Sequence, residues 1–416
     1  MRRCGSDGAW KTKIRAVITV KEGSVQMRYG RLTQTAWQRS VRRQLHDRGK
    51  DVLFGPSPWE ECSGIADESG DSFLWADAHT VGDSAHIGYY AVLHAAGELA
   101  AKGVPASCVS VRVLFPPESE EEDLKAVAAG VEEACRRMGL QVTAFQGEIS
   151  CAAQRIIVFA AAAGKSGRRG IRSTCAAIPP ERTESAGHPV FTGRKTEQKR
   201  RKAAAGQEIV FCGYAGLEGM LRILDEAGDE LGTRFIPDFL RKAGELTDSL
   251  VTPGQILALF REQGGGPDRA ASDQETAPDR DADRQAGMPD ITAVFQAGSG
   301  GILAALWEMA ETLHAGFEAD LSAVTVRQET VEICEFYRLN PYQMVSSGSF
   351  LIVTEDAQRV IEILEKVGAR AGRLGVIKAQ NARVITSGEE IRYLDRPAPD
   401  ELELWQARRV RRNEDW

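Results

Sequence analysis

The sequence predicts an α+β fold built as two successive units. The first observation behind this is alternation. Strand-like runs with a two-residue period and helix-like runs with a 3.6-residue period follow one another in both halves of the chain. The second is size and composition. The chain has 416 residues, 43% hydrophobic and 27% charged, which suits a globular protein of roughly two or three domains. The third is punctuation. Residues 165–205 hold 11 Lys/Arg against 3 Glu, and residues 263–287 have no aliphatic side chain larger than alanine and no aromatic one. Neither stretch has enough apolar surface to fold alone, so the first reads as a basic flexible insertion and the second as a disordered loop.

The first unit is expected over 28–164. "LTQTAWQRSVRRQL" reads as a helix, "SFLWADAHTV" as a strand, and "AHIGYYAVLHAAGELAAKGVP" as a helix stopped by Gly103 and Pro105. "SCVSVRVLF" places Val109, Val111, Val113 and Phe115 on one face, the pattern of a half-buried strand. A capping box from Ser119 to Glu122 opens a helix whose buried stripe is Leu124, Val127, Val131, Cys135 and Met138. "QVTAF" and "RIIVFA" read as strands.

The second unit is expected over 206–392. "EIVFC" and "SFLIVT" read as strands, and "AGRLGVIKAQ" as the final one. "LEGMLRILDEAGDEL", the run after Gly301, the end of "LSAVTVRQETVEICEFYRL", and "AQRVIEILEKVG" read as helices. Residues 393–416 form a charged, amphipathic tail. Residues 1–26 show little periodicity, and 1–27 read as a non-native or disordered extension, with Met27 a second candidate start beside Met1; the alternative is a genuine first strand, "KIRAVITV".

Several function classes are excluded. No run approaches the 18 or so apolar residues of a membrane span, and no signal-peptide core precedes the first unit. Eight cysteines stand singly, without a C-x-x-C or zinc spacing, as expected of buried thiols in a cytoplasmic protein. A net charge of −7 argues against general nucleic-acid binding; the basic peak "GRKTEQKRRK" alone would give only salt-sensitive, non-specific contacts.

Candidate chemistry concentrates in a few places. "AGSGGILAALWEMAE" sets Gly298, Gly300 and Gly301 before an apolar helix. Such a loop is either a phosphate cradle or the tight entry to a packed helix. Asp77 ends a strand, Glu98 lies in an otherwise apolar helix, and Glu148 follows a strand and Gly147. Each carboxylate alone reads as solvated. Three converging would repel by about 4 kcal/mol per pair at 4 Å and an effective dielectric near 20, and would need a cation, with oxygen-only ligands selecting Mg²⁺. His79 could face the same site, whereas His94 reads as structural. "FAAAAGKS" imitates the end of a P-loop but has Phe159 where the motif needs glycine, and is rejected. "FCGYAGLEGM" and "QMVSSGSFLIV" read as turn chemistry.

Taken together, "FLWADAHTV", "GELAAKGVP", "VRVLFPP", "FQGEIS", "VFCGYAGLEGM", "FQAGSGGILAALWEMAE", "SSGSFLIV" and "GRLGVI" resemble, in this order, the aminoimidazole-ribonucleotide-synthetase-like ATP-binding superfamily. The second half is closest to its synthetase-related and hydrogenase-maturation dehydratase branch. The resemblance implies two α+β domains, the first pairing with its counterpart in a second subunit to form a dimeric β-barrel-like core, the second an α/β sandwich. It implies ATP and Mg²⁺ near the dimer interface, and phosphorylation of a carbonyl- or amide-type oxygen of an unknown small-molecule or protein substrate. It places Asp77, Glu98 and Glu148 as metal carboxylates, with Gly147 keeping a turn, and Gly298, Gly300 and Gly301 as a shaped active-site loop. Two of the three acids are Glu where the family has Asp, and Ser299 replaces an Arg. The chain has no cysteine after Cys334, whereas the maturation dehydratase carries its substrate on a C-terminal one, so that reaction is not expected to run in the same way. The alternative is a homodimeric nucleotide- or partner-binding relative without chemistry.

Overall fold

The structure, a computed structural model, describes residues 30–45, 51–66, 71–166, 203–261 and 289–414. The expectations for 1–27, for 263–287 and for nearly all of 165–205 lie outside the described residues.

The described residues 30–45 belong to a unit of their own. Predicted as one long helix, it gives a single α turn, α1 (Gln34–Trp37), in which Thr33 Oγ1 accepts the Ala36 N–H at 3.3 Å, followed by a wider π turn over Gln38–Arg42. Of these residues only Trp37 is buried, so no apolar stripe holds a longer helix.

The unit from Asp47 onward contains two sheets. The first comprises β1 (Cys62–Ala66), β2 (Ser72–Gly82), β3 (Cys108–Phe115), β4 (Gln141–Ile149) and β5 (Ile156–Ser166), in the order β1-β2-β5-β3-β4. Only β3 and β4 pair in parallel, because α3 (Glu121–Met138) crosses between them. Alternation is strict in the two long strands. Leu74, Ala76 and Ala78 of β2 and Val158, Ala160 and Ala162 of β5 are buried in the core formed with α2 (Ile87–Ala101) and α3. The opposite face carries Phe73, Asp77, His79 and Phe159 in the open. Among the described residues β1 and β4 are the outermost strands, β1 being flanked only by a single bridge from Val52 to Ile65, and they do not pair with each other, so these strands close no barrel.

Every residue of α2 except Glu98 is buried, which fits a helix that is apolar all round. Gly88 allows its approach to α3: a Cβ there would lie 2.4 Å from the Val127 carbonyl oxygen. At the other end Ala100 and Ala101 join the core of the second sheet.

The second sheet orders as β12-β11-β8-β10-β6-β9-β7, with β6 (Glu208–Cys212), β7 (Ile291–Gln296), β8 (Gly316–Asp320), β9 (Phe350–Thr354), β10 (Ala371–Lys378), β11 (Arg383–Ser387) and β12 (Glu390–Tyr393). Both faces are covered. Ile209 and Phe211 face the cluster that holds Ile302, Leu306 and Met309 of α7 (Gly301–Leu313). Val210 and Cys212 face the one that holds Val360, Ile363 and Leu364 of α9 (Ala357–Lys366). All of β9 is buried, which explains its unbroken apolar run. Helices α4 (Leu217–Gly232), α5 (Pro237–Glu245) and α8 (Gln328–Tyr337) bury Met220, Ile223, Ala243 and Ile333 in the first core, and α6 (Pro253–Leu257) buries Ile256 in the cluster of Val210 and Cys212.

Four local expectations need correction. The capping box of α3 is Glu120 with Asp123, one residue later than Ser119 with Glu122. Leu124 is exposed, because in the first turn it reaches only the edge strand near Gly147. Gly147 and Glu148 lie inside β4, paired with Val113 and Leu114, and Gly147 makes no turn. β10 is not the last strand, since β11 and β12 follow it. The charged tail is the helix α10 (Glu401–Glu414), whose Leu402 and Trp405 are buried in the first core. Among the described residues no helix is long and apolar enough to cross a membrane.

Candidate functional site

Register places the first candidate site on the open face of the first sheet. Asp77 pairs with Ala161, which pairs with Ser110, and that with Ala144. Two residues along, the same four strands align His79, Phe159, Arg112 and Gln146. These residues line a concavity of about 400 Å³. Arg112 Nη2 donates to Gln146 Oε1 at 2.7 Å, which holds the guanidinium beside the cavity. The His79 and Phe159 rings lie 6.1 Å apart. Partial burial pushes the Asp77 carboxyl above its usual range. Ile65, Phe73 and Phe159 are exposed on this face.

The three carboxylates expected to share a cation do not converge. Asp77 and Glu148 are three strands and four residues apart, roughly 14 Å by 13 Å at ordinary sheet spacings. Glu98 is on α2, which packs against the opposite face from Asp77. The donor set does not fit a single Mg²⁺ within one chain.

Glu98 instead meets two residues of other types. Among the described residues, Glu61, His94 and Glu98 form the one group of potential metal ligands whose donor atoms all lie within 4.8 Å. His94 Nε2 is 3.1 Å from Glu61 Oε2 and 3.9 Å from Glu98 Oε1. Burial and the Glu61 carboxylate raise Glu98 to about 7. Burial pulls His94 down, but Glu61 more than reverses this and holds it near 9. Gln296, at the end of β7, donates from Nε2 to Glu98 Oε1 at 3.1 Å and to the His94 carbonyl at 3.0 Å. Lys102 and Glu60 pair alongside at 2.9 Å. His94, read from sequence as structural, is central to this cluster. Its spacing of four residues from Glu98 puts both on one helix face, but only the fold brings Glu61 to them.

The glycine loop has its own carboxyl partner. Gly300 N–H donates to Asp400 Oδ2 at 2.6 Å, and Asp400 Oδ1 accepts the Leu402 N–H at 2.8 Å. One carboxylate thus caps the starts of both α7 and α10. Ser299 Oγ lies 3.4 Å from Glu403 Oε1. Gly301, at φ +64°, faces the Tyr342 and Met344 carbonyl oxygens, which a Cβ would approach to 2.6 and 2.7 Å. Both glycines are therefore required by packing. Gly298 closes the turn, its carbonyl accepting from Gly301 N–H at 3.1 Å. The remaining glycine and serine segments meet each other: Gly216 N–H donates to Ser346 Oγ at 2.8 Å, and Ser347 N–H to the buried Glu218 at 3.0 Å.

Comparison with known proteins adds family context. Residues 69–165 match the family "AIR synthase related protein, N-terminal domain", and residues 247–387 match "AIR synthase related protein, C-terminal domain". A carbamoyl dehydratase HypE from Rhizobium leguminosarum bv. viciae is 27% identical over 183 residues, which span 43% of either chain. The crystal structure of the hydrogenase maturation protein HypE in complex with ATP superposes with a TM-score of 0.55 at 16% identity, over 87% of this chain and 91% of that one. AaThiL complexed with AMPPCP and TMP superposes with a TM-score of 0.57 at 12% identity, over 91% and 98%. At these identities the structural likeness is one of fold.

Proposed function

Because the chain belongs to the AIR synthase-related protein family, we propose that it is a cytoplasmic, homodimeric ATP-using enzyme that phosphorylates a carbonyl- or amide-type oxygen of a small-molecule or protein substrate. The observation that carries this is the cavity on the open sheet face. Arg112 there supplies a fixed guanidinium for phosphate, Ser110 and Gln146 supply hydrogen-bonding groups, and Phe159 supplies a ring for stacking. ATP and AMPPCP, respectively, are bound by two structural neighbours of this fold, which supports the choice of nucleotide. The exposed Ile65, Phe73 and Phe159 on the same face support pairing of two copies there, since such side chains cluster where a second surface covers them. In this reading the chain's own groups position and neutralise a triphosphate.

One observation favours a second reading, a dimeric binding protein without turnover. The three acidic residues are spread over both faces of the first sheet, and Asp400 already occupies the Gly300 N–H. The two readings separate in one experiment. ATP binding is measured by calorimetry with and without Mg²⁺, and phosphate release is followed in the same samples. Binding with release, lost in Arg112→Ala, supports the enzyme. Binding without release in the presence of a metabolite panel supports the second reading, and no binding at millimolar ATP removes both nucleotide readings.

A further inference from the structure

The buried cluster of Glu61, His94 and Glu98 has a donor set and a charge that call for a different ligand. The geometry points to a binding site for one divalent first-row transition ion, Zn²⁺ in preference to Mg²⁺, held by His94 Nε2 and one carboxylate oxygen each from Glu61 and Glu98. The inference concerns the metal alone and does not depend on ATP use.

Four observations carry it. First, the donor atoms are close enough: Zn–N and Zn–O bonds of about 2.0–2.2 Å put tetrahedral ligand atoms roughly 3.3–3.6 Å apart. The two His94 Nε2 distances, 3.1 and 3.9 Å, straddle that range. Second, His94 Nε2 is enclosed, its side chain only 9% exposed, and it lacks a hydrogen bond of acceptable geometry although it is aimed between two carboxylates. Its charge pair with Glu61 holds the nitrogen without an aligned hydrogen bond, and a metal ion that displaced the proton would take the lone pair directly. Third, a cation can enter by exchange: His94 ligates by giving up the proton it shares with Glu61, and a divalent ion takes that proton's place between the two carboxylates. Fourth, Gln296 Nε2 donates to Glu98 Oε1, and a hydrogen bond of this kind orients a metal-ligating carboxylate.

The choice of ion follows from the donors. Mg²⁺ prefers six hard oxygens and keeps several waters, whereas an imidazole with two carboxylates suits Zn²⁺ and its neighbours in the first row. Glu61, 24% exposed in its side chain, leaves a side from which water could complete the shell. The bound ion would tie the segment before β1 to α2 and, through Gln296, to the second sheet.

The test uses the full chain, stripped with chelator and desalted, and titrated with ZnCl₂ or MgCl₂ by calorimetry. Wild type is expected to take up one Zn²⁺ per chain, with a tenfold excess of Mg²⁺ failing to displace it. Glu61→Gln and His94→Gln, each confirmed folded by circular dichroism, are expected to bind Zn²⁺ at least tenfold more weakly. Co²⁺ loaded into wild type should show visible d–d bands of a four- or five-coordinate nitrogen–oxygen site, a readout that needs no variant. Absence of Zn²⁺ uptake, uptake unchanged in a folded variant, or a Co²⁺ spectrum of the hexa-aquo ion would overturn the proposal and leave the cluster as an ion pair closed by a proton. None of these outcomes bears on ATP binding, which the calorimetry with nucleotide reads separately.

Discussion

The Gly300 N–H donates to the Asp400 carboxylate across 100 residues of chain, at 2.6 Å. The same carboxylate accepts from Leu402, so it serves two helix starts at once. Enclosure raises Asp400 to about 7, against the pull of the Gly300 N–H. A glycine loop that looks prepared for phosphate is thereby closed by the chain's own tail.

Asp400 sets a pH dependence. Its folded-state value lies well above the usual aspartate range, so the folded chain holds a proton that the unfolded chain releases. This contribution is fully present below about pH 4 and is lost as pH rises through about 7. Asp400→Asn removes the titration. Urea melts at several pH values should show wild type losing stability relative to Asp400→Asn across that window. Parallel pH profiles would contradict the assignment. At pH 5, where wild type is neutral, the variant should cost about 1–2 kcal/mol, because the amide oxygen replaces only one of two accepting oxygens.

Gly301 should be intolerant of any side chain. Its φ is +64° and the crowding atoms are backbone carbonyls, which cannot rotate away. Gly301→Ala is expected to cost roughly 2–4 kcal/mol, read as a lowered denaturant midpoint. Gly228→Ala, where a Cβ meets nothing within 4 Å, is the control and should change little.

Phe159 tests the pairing of two copies. It is 42% exposed at the centre of the open sheet face. Phe159→Glu should convert a dimer to a monomer in sedimentation velocity while leaving the circular dichroism spectrum intact. A wild type that sediments as a monomer at all concentrations would exclude this face as an interface.

Arg112 tests the cavity. Its guanidinium is held by Gln146, and the carboxylates nearest it by register on this sheet face are Glu148, one strand over, and Asp77, two strands over. Arg112→Ala should weaken ATP binding roughly tenfold or more, as loss of a charge-assisted hydrogen bond of about 1.5–3 kcal/mol implies. Unchanged affinity would place the nucleotide elsewhere.

Much of the architecture was legible because it follows from local periodicity. The alternation of Val109, Val111, Val113 and Phe115 needs only the two-residue period of a strand, and all four are buried on one face as that period requires. The mostly apolar run of α2, broken only by His94 and Glu98, is likewise a statement about its own residues. The family motifs were legible for a related reason, since they are short contiguous strings.

What the string could not carry was the meeting of distant residues. The sequence by itself determined that Asp77 and Glu98 are acids at special places, that His94 shares a helix face with Glu98, and that Gly300 and Gly301 open a helix. Only the tertiary structure decided who meets whom. Strand pairing carries Glu148 three strands from Asp77, and a two-sided sheet sets Glu98 behind it. A loop ahead of β1 delivers Glu61 to His94, and a tail helix delivers Asp400 to Gly300. The physical reason is range: hydrogen bonding along a helix or strand acts over a few residues, whereas a site is made by packing, which joins residues without regard to their distance along the chain.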